Sequence, residues 1–121
     1  MKSQIFESEL KVLELLWEQG DTTAKELALQ LKESTEWSKT TSYTVIKKCV
    51  DKGLIDRQGT NFLCHVLITR EEAQRQESEL LAEKMFGGNA DLLIASLLGG
   101  SSMTSKQIDK LRDMVQEFSD N

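Results

Sequence analysis

Residues 38–53 read SKTTSYTVIKKCVDKG, and this stretch decides the fold. Four apolar or small residues within it, at positions 42, 45, 46 and 49, follow the three-and-four spacing of one helix face. That spacing predicts a buried stripe. Ser38 precedes the stripe as a helix cap, and Gly53 follows it as a helix stop. The stretch is therefore predicted to form an amphipathic helix over about residues 39–52.

The opposite face of this helix carries hydroxyl, aromatic and amine side chains. Such groups donate hydrogen bonds to base edges and phosphates when a helix enters the major groove of DNA. Any solvated amphipathic helix also has a polar face, so the pattern alone leaves both interpretations open. Threonine is a weak helix former, and its repetition here favours a binding role. The residues predicted to face bases are Thr40, Thr41, Tyr43, Thr44 and Lys47, and those predicted to hold phosphates are Lys39, Lys48 and Arg57.

Two more helices are predicted before this one, and a hairpin after it. Apolar residues over 7–18 repeat at helical spacing before Gly20, and Thr23 opens a capping box with Glu26 at the start of a second helix. After the third helix, two extended stretches flank a polar tip at 56–61, which predicts a small β-hairpin. Helix, helix, helix and hairpin is the order of a winged helix-turn-helix.

Only helical signals occupy the remainder of the chain. Capping boxes begin at Thr69 and Thr104, and two glycine pairs divide the segment between them. Three C-terminal helices are thus predicted, and the fold class is mainly α with a small β wing. The domains are expected to be a winged helix-turn-helix DNA-binding domain over 1–70 and a helical dimerisation domain over 71–121.

The last two predicted helices carry an apolar surface that is too large to face water. A second copy of the chain would cover this surface, and an isologous two-fold contact is the commonest way to do so. The sequence therefore predicts a homodimer. The residues expected in its contact are Leu93, Ile94, Leu97, Leu98, Ile108, Leu111, Val115 and Phe118.

Charge is distributed unevenly along the 121 residues, whose formal net charge is −5. Residues 1–70 hold ten basic and ten acidic side chains, whereas 71–121 hold five basic and ten acidic ones. Within 37–57 the balance is +3, which predicts a local basic face. No apolar run is long enough to span a membrane, and two cysteines without a CxxC spacing suit a reducing compartment. We therefore expect a cytoplasmic protein with no membrane insertion.

The sequence offers little for catalysis or metal binding. Its one histidine, His65, supports no Ser/His/Asp arrangement, and there is no phosphate-binding loop. The neighbouring Cys64 would point to the opposite side of a strand, and no third ligand lies nearby in sequence. Cys49 lies on the buried stripe, where cysteine usually acts as a small apolar residue. We expect no enzyme activity, no metal site and no cofactor.

Several short motifs also occur in an order and spacing typical of one family of regulators. They are Glu9 through Trp17, Trp37-Ser38, Lys47-Lys48, Lys52-Gly53-Leu54, Thr69-Arg70-Glu71-Glu72 and Phe86-Gly87-Gly88. Over nearly its whole length the chain resembles the penicillinase repressor family, the BlaI, MecI and CopY transcriptional regulators.

This resemblance implies a homodimeric, sequence-specific repressor that binds double-stranded, palindromic operator DNA and controls a β-lactam resistance-type operon. It further implies release by proteolysis in the dimerisation helix, after antibiotic activates a membrane sensor metalloprotease. Register counted from Phe86 places the candidate cleavage bond at Ser96-Leu97.

The chain departs from the family pattern at several points. Phe6 stands where a Ser or Thr usually caps the first helix, and the wing carries Thr60 and Cys64 where Arg and Tyr are usual. The copper-responsive branch has a CxCxxxxCxC motif, which this sequence lacks. Two alternatives stay open, a winged-helix protein-interaction module and a metal-responsive, copper-type repressor. Steep weakening of DNA binding by salt separates the first of these from a DNA-binding repressor.

Overall fold

The structure is a computed structural model that describes residues 4–99, 105–107, 109, 110, 112 and 113. It confirms the predicted fold class, since helices dominate and a small antiparallel sheet forms the wing. The last described residues, from 105 onward, are helical. The elements are helices α1 (Glu7–Gln19), α2 (Ala24–Thr35), α3 (Lys39–Asp51), α4 (Arg70–Phe86) and α5 (Ala90–Gly99), and strands β1 (Thr22–Thr23), β2 (Ile55–Gln58) and β3 (Leu63–Val66).

The sheet has three strands in the order β1-β3-β2, all antiparallel. The predicted hairpin is β2 and β3, with Arg57 opposite Cys64, although residues 56–58, predicted in its polar tip, belong to β2. Strand β1 was not predicted, because Thr23 carries the stronger signal of a helix cap. Its side chain accepts a hydrogen bond from the backbone amide of Glu26 at 3.2 Å, while Thr23 also pairs with Leu63 of β3. This residue therefore joins the wing to the start of α2.

The core lies where the apolar faces of α1, α2 and α3 meet the base of the sheet. The stripe predicted on α3 is buried along its whole length, as is the stripe predicted on α2. The four buried residues of α3 are Ser42, Val45, Ile46 and Cys49, and those of α2 are Ala24, Leu27, Ala28 and Leu31. Burying one face of α3 leaves its polar face toward solvent.

A buried ion pair joins the beginning of α1 to the end of α3. The carboxylate of Glu9 is fully buried, and its Oε1 lies 2.8 Å from Nζ of Lys52. The same oxygen accepts a hydrogen bond from the backbone amide of Phe6 at 2.8 Å. Lys52 also donates to the carbonyl of Gln4 at 2.8 Å and lies over the ring of Phe6. The carboxylate thus caps α1 at a position where the Phe6 side chain has no hydrogen-bonding group.

A second contact joins α1 to the start of α4. The indole Nε1 of Trp17 donates to the carbonyl of Ile68 at 2.9 Å, and the guanidinium of Arg70 lies 5.4 Å from the Trp17 ring. The predicted capping box is present here in both halves, since Thr69 and Glu72 each accept from the other's backbone amide. The chain therefore leaves the wing directly into a capped helix.

The chain divides into two compact units, Met1–Gln74 and Arg75–Asn121, and α4 runs through the boundary. In the second unit, Asn89 accepts a hydrogen bond from the amide of Leu92 and so caps α5. This helix is rich in leucine, yet none of its residues is buried. Among the described residues, no helix is both long and apolar enough to cross a bilayer.

The buried ion pair generates a prediction about stability. Lys52→Met leaves the Glu9 carboxylate buried without its cation, a change that costs about 3–5 kcal/mol of unfolding free energy. Urea unfolding followed by circular dichroism, at one fixed protein concentration, measures the loss. The matched control is Lys11→Met, at an exposed position of α1, which we expect to shift stability by less than about 0.5 kcal/mol. Equal unfolding midpoints for the two variants would contradict the role assigned to the pair.

Candidate nucleic-acid interface

The solvent-facing side of α3 begins at a well-capped N-terminus. The Ser38 hydroxyl accepts a hydrogen bond from the amide of Thr41 at 3.1 Å, and the two hydroxyl oxygens lie 3.0 Å apart. No acidic residue lies in the first turn, where Lys39 is exposed. Free amides and the positive end of the helix dipole favour anions at such a terminus, and Lys39 adds a full positive charge. This end of α3 is therefore suited to a phosphate.

Two exposed threonines follow on the same side of the helix. The Thr44 hydroxyl donates to the carbonyl of Thr40 at 2.9 Å, which fixes the orientation of the side chain. With its proton engaged, the Thr44 oxygen retains lone pairs to accept a hydrogen bond, and its methyl group remains available for apolar contact. On a base edge, an amino group can donate to the Thr44 oxygen, and the methyl group of thymine can contact the Thr44 methyl group.

Tyr43 differs from its neighbours because it is half-buried and packs against the core. The Nζ of Lys39 lies 5.7 Å from the centre of its ring, within the range of a cation–π contact. Packing of the Tyr43 ring therefore limits the positions that the Lys39 amine adopts at the helix N-terminus.

The lysines at the other end of α3 have different surroundings. Lys47 and Lys48 are both exposed, and Lys47 Nζ lies 2.9 Å from Oδ2 of Asp51. An exposed pair of this kind contributes little free energy, so the Lys47 amine exchanges it readily for an acceptor on a base edge. Lys52 does not share this freedom, because it is held by Glu9. The predicted basic face therefore loses one of the charges counted in its balance of +3.

Arg57 is the predicted phosphate contact outside α3, and it is exposed on β2. Its guanidinium carbon lies 5.2 Å from the centre of the Phe62 ring. Farther along the wing, Nδ1 of His65 lies 2.8 Å from Oδ1 of Asp21. Phe62 was not singled out by sequence reasoning. The sequence signal that could have identified it is an aromatic residue directly after the polar tip.

Burial makes both cysteines poor ligands and poor nucleophiles. The pKa of the Cys49 thiol is raised to about 12, mainly by burial, with Glu9 adding to the increase and Lys52 opposing it. Burial also raises the pKa of Cys64, and Arg57 opposes that shift. Metals and electrophiles react with the thiolate, which both environments disfavour. Within the described part of the chain, no three His, Cys, Asp or Glu side chains form a group able to hold a metal ion.

The structure describes four of the eight residues predicted to form the dimer contact. Leu97 is 52% exposed, and the neighbouring Leu93, Ile94 and Leu98 are half-buried. The candidate cleavage bond lies on α5, and Ser96 is exposed as well. The remaining four residues of the predicted contact, Ile108, Leu111, Val115 and Phe118, lie outside the described residues.

Comparison with known proteins matches most of the chain to one family of regulators. The family model for penicillinase repressors matches residues 5–117. The chain is 21% identical over 118 residues to the penicillinase repressor of Staphylococcus aureus, covering 96% of this chain and 94% of that protein. It is 22% identical over 116 residues to the methicillin resistance regulatory protein MecI of Mammaliicoccus sciuri, covering 94% of each.

A solved structure shares the fold of the N-terminal part. The solution structure of the DNA-binding domain of the repressor BlaI superposes with a TM-score of 0.54 and 24% sequence identity. The match covers 60% of this chain and 93% of that domain. The observed arrangement of three helices and a wing is therefore the arrangement of that domain.

Proposed function

The chain belongs to the penicillinase repressor family, and on this premise we propose that it is a homodimeric, sequence-specific DNA-binding repressor. The observation that carries the proposal is the polar face of α3, which is exposed, positively charged at its capped end and held on a winged helix-turn-helix. The relatives named above are a penicillinase repressor and a methicillin resistance regulatory protein, and we extend a regulatory role of this kind to this chain. The proposed target is an operon of the β-lactam resistance type.

The proposed interface divides its contacts between bases and phosphates. Thr40, Thr41, Tyr43, Thr44 and Lys47 contact base edges, while Lys39, Lys48 and Arg57 contact phosphates. Phosphate contacts set affinity and register, whereas base contacts set sequence preference. The capped, acid-free N-terminus of α3 supports this division, because it favours an anion near Lys39.

Homodimerisation is proposed through the C-terminal helices. The exposure of Leu92 and Leu97, at 51% and 52%, supports it, because a leucine-rich helix gains free energy when a second copy covers it. Two copies related by a two-fold axis bind two half-sites whose centres lie about one helical turn of DNA (~10 bp) or a multiple apart. The proposed operator is therefore a palindrome.

Release of the operator is proposed to follow cleavage at Ser96-Leu97, after a membrane sensor metalloprotease has detected a β-lactam. The family resemblance suggests this route, and the position of α5 supports it. The helix is ten residues long, Gly87 and Gly88 precede it, and none of its residues is buried. Short helices with few buried contacts unfold locally more easily than core helices. A locally unfolded segment can enter the active site of a protease.

DNA binding is tested on a fragment of the chain's own promoter and on a random duplex of equal length. We expect Thr44→Val to reduce the preference for the promoter by about 0.5–1.5 kcal/mol, because it removes the one oxygen that accepts a hydrogen bond from a base. Lys48→Ala should weaken binding to both duplexes alike and lower the slope of log affinity against log salt by about one. Fluorescence anisotropy over a salt series measures both effects.

The control for this experiment is Lys11→Ala, which removes an exposed lysine from α1. We expect it to leave the sequence preference unchanged. If the native chain binds promoter and random duplex equally, sequence-specific repression is contradicted and the protein-interaction alternative gains support.

The dimer is tested by placing a charge on α5. Leu97→Glu should convert the dimer to a monomer, because burying an unpaired carboxylate in an apolar contact costs several kcal/mol. Sedimentation velocity on the full chain measures the change. Ser34→Glu introduces the same charge at an exposed position of α2 and should leave the dimer intact. A dimeric Leu97→Glu protein would show that the contact lies elsewhere.

Proteolytic release is tested in cells that carry the chain and its promoter. After addition of a β-lactam, intact mass spectrometry should detect a fragment that ends at Ser96, and this fragment should be absent from untreated cells. Promoter activity is followed in the same cultures. A chain that stays full length while its promoter becomes active would rule out this route of release.

A further inference from the structure

The tip of the wing carries an aromatic side chain that the core does not use. Phe62 is 53% exposed, and the residues before it in the tip, Gly59, Thr60 and Asn61, are all exposed. Burial of apolar surface therefore gives little reason for a phenylalanine at this position. Its exposed ring is instead available for contact with another group at the surface.

The backbone at this position adds to the argument. Phe62 has a φ of +50°, a left-handed conformation that is strained for a bulky side chain and that glycine or asparagine adopts more easily. Its carbonyl accepts a hydrogen bond from the amide of Ala24, the first residue of α2, at 3.0 Å. This bond holds the backbone of the tip against the start of α2.

The group that the ring meets is the guanidinium of Arg57, at 5.2 Å from the ring centre. Within the described residues, no carboxylate pairs with Arg57, in contrast to Lys47 and Lys52. A guanidinium that lies over an aromatic face keeps the N–H groups at its edge free to donate. The ring therefore restricts the position of Arg57 without occupying its hydrogen-bond donors.

We propose that Phe62 is a positioning residue of the DNA interface, whose ring holds the Arg57 guanidinium toward a backbone phosphate beside the site contacted by α3. This inference rests on the proposed DNA-binding function. Holding the guanidinium in advance lowers the entropy lost when the phosphate is bound. The strained backbone of Phe62 is a second, separate observation in favour of a functional role, because such strain is concentrated at functional positions.

The experiment is a double-mutant cycle on the full chain, measured with the promoter fragment and with the random duplex. Phe62→Leu keeps an apolar side chain but removes the aromatic face, and Arg57→Gln removes the charge. We expect each to lower affinity for both duplexes about 2- to 5-fold and to lower the salt slope by about one. The variant with both changes should be no weaker than Arg57→Gln alone. Phe62→Trp, which keeps an aromatic face, should retain the native affinity and salt slope.

Other results overturn the proposal. If Phe62→Leu leaves affinity and salt slope unchanged, or weakens binding by the same factor when Arg57 is already replaced, the ring does not act through the guanidinium. Urea unfolding of Phe62→Leu and Phe62→Trp separates a loss of folding from a loss of binding. Because phosphate contacts do not depend on sequence, the random duplex tests this inference even where promoter preference fails. Equal binding of both duplexes by the native chain contradicts the proposed function, whereas an unchanged salt slope in Phe62→Leu contradicts only the role of Phe62.

Discussion

A single buried carboxylate ties the end of α3 to the beginning of α1. Glu9 accepts from the amide of Phe6 at the beginning of α1 and from the amine of Lys52 directly after α3. Separating the two helix ends would leave a buried charge without its partner, which costs several kcal/mol. The pair therefore favours keeping these ends together. Apolar burial alone is less directional, because the hydrophobic effect depends on the area removed from water and not on the orientation of the groups. The ion pair thus adds a directional contact to the apolar packing that orients the polar face of α3.

Holding α3 at its C-terminal end also determines where its free charges lie. Lys52 is engaged by Glu9, and its side chain is only 22% exposed, whereas Lys39 at the opposite end is exposed and no acidic residue lies in the first turn. The net charge of −5 is consistent with a DNA-binding face, because the excess of acidic residues falls within 71–121. Local arrangement rather than total charge determines what this surface attracts.

The sequence predicted those features that depend on local periodicity and capping. The buried stripes of α2 and α3, the cap at Ser38 and the capping box at Thr69 all follow from residues three or four positions apart. The contacts that were missed join distant residues. Glu9 and Lys52 are 43 positions apart, so helical spacing predicts two solvated charges rather than a pair. Strand β1 is only two residues long, and one of them, Thr23, is also the cap of α2, so the sequence predicts a helix start there and no strand.

The proposed dimer gives a physical reason for separating DNA contact from assembly. One winged helix-turn-helix offers a limited number of phosphate contacts and therefore binds weakly at physiological salt. Joining two of them makes the second half-site an intramolecular target, which raises overall affinity by about 10²- to 10⁴-fold without any new contact. In the proposed repressor this gain depends on α5, on which Leu92 and Leu97 are exposed in the single chain. Damage to α5 therefore removes operator affinity while the reading face of α3 stays intact.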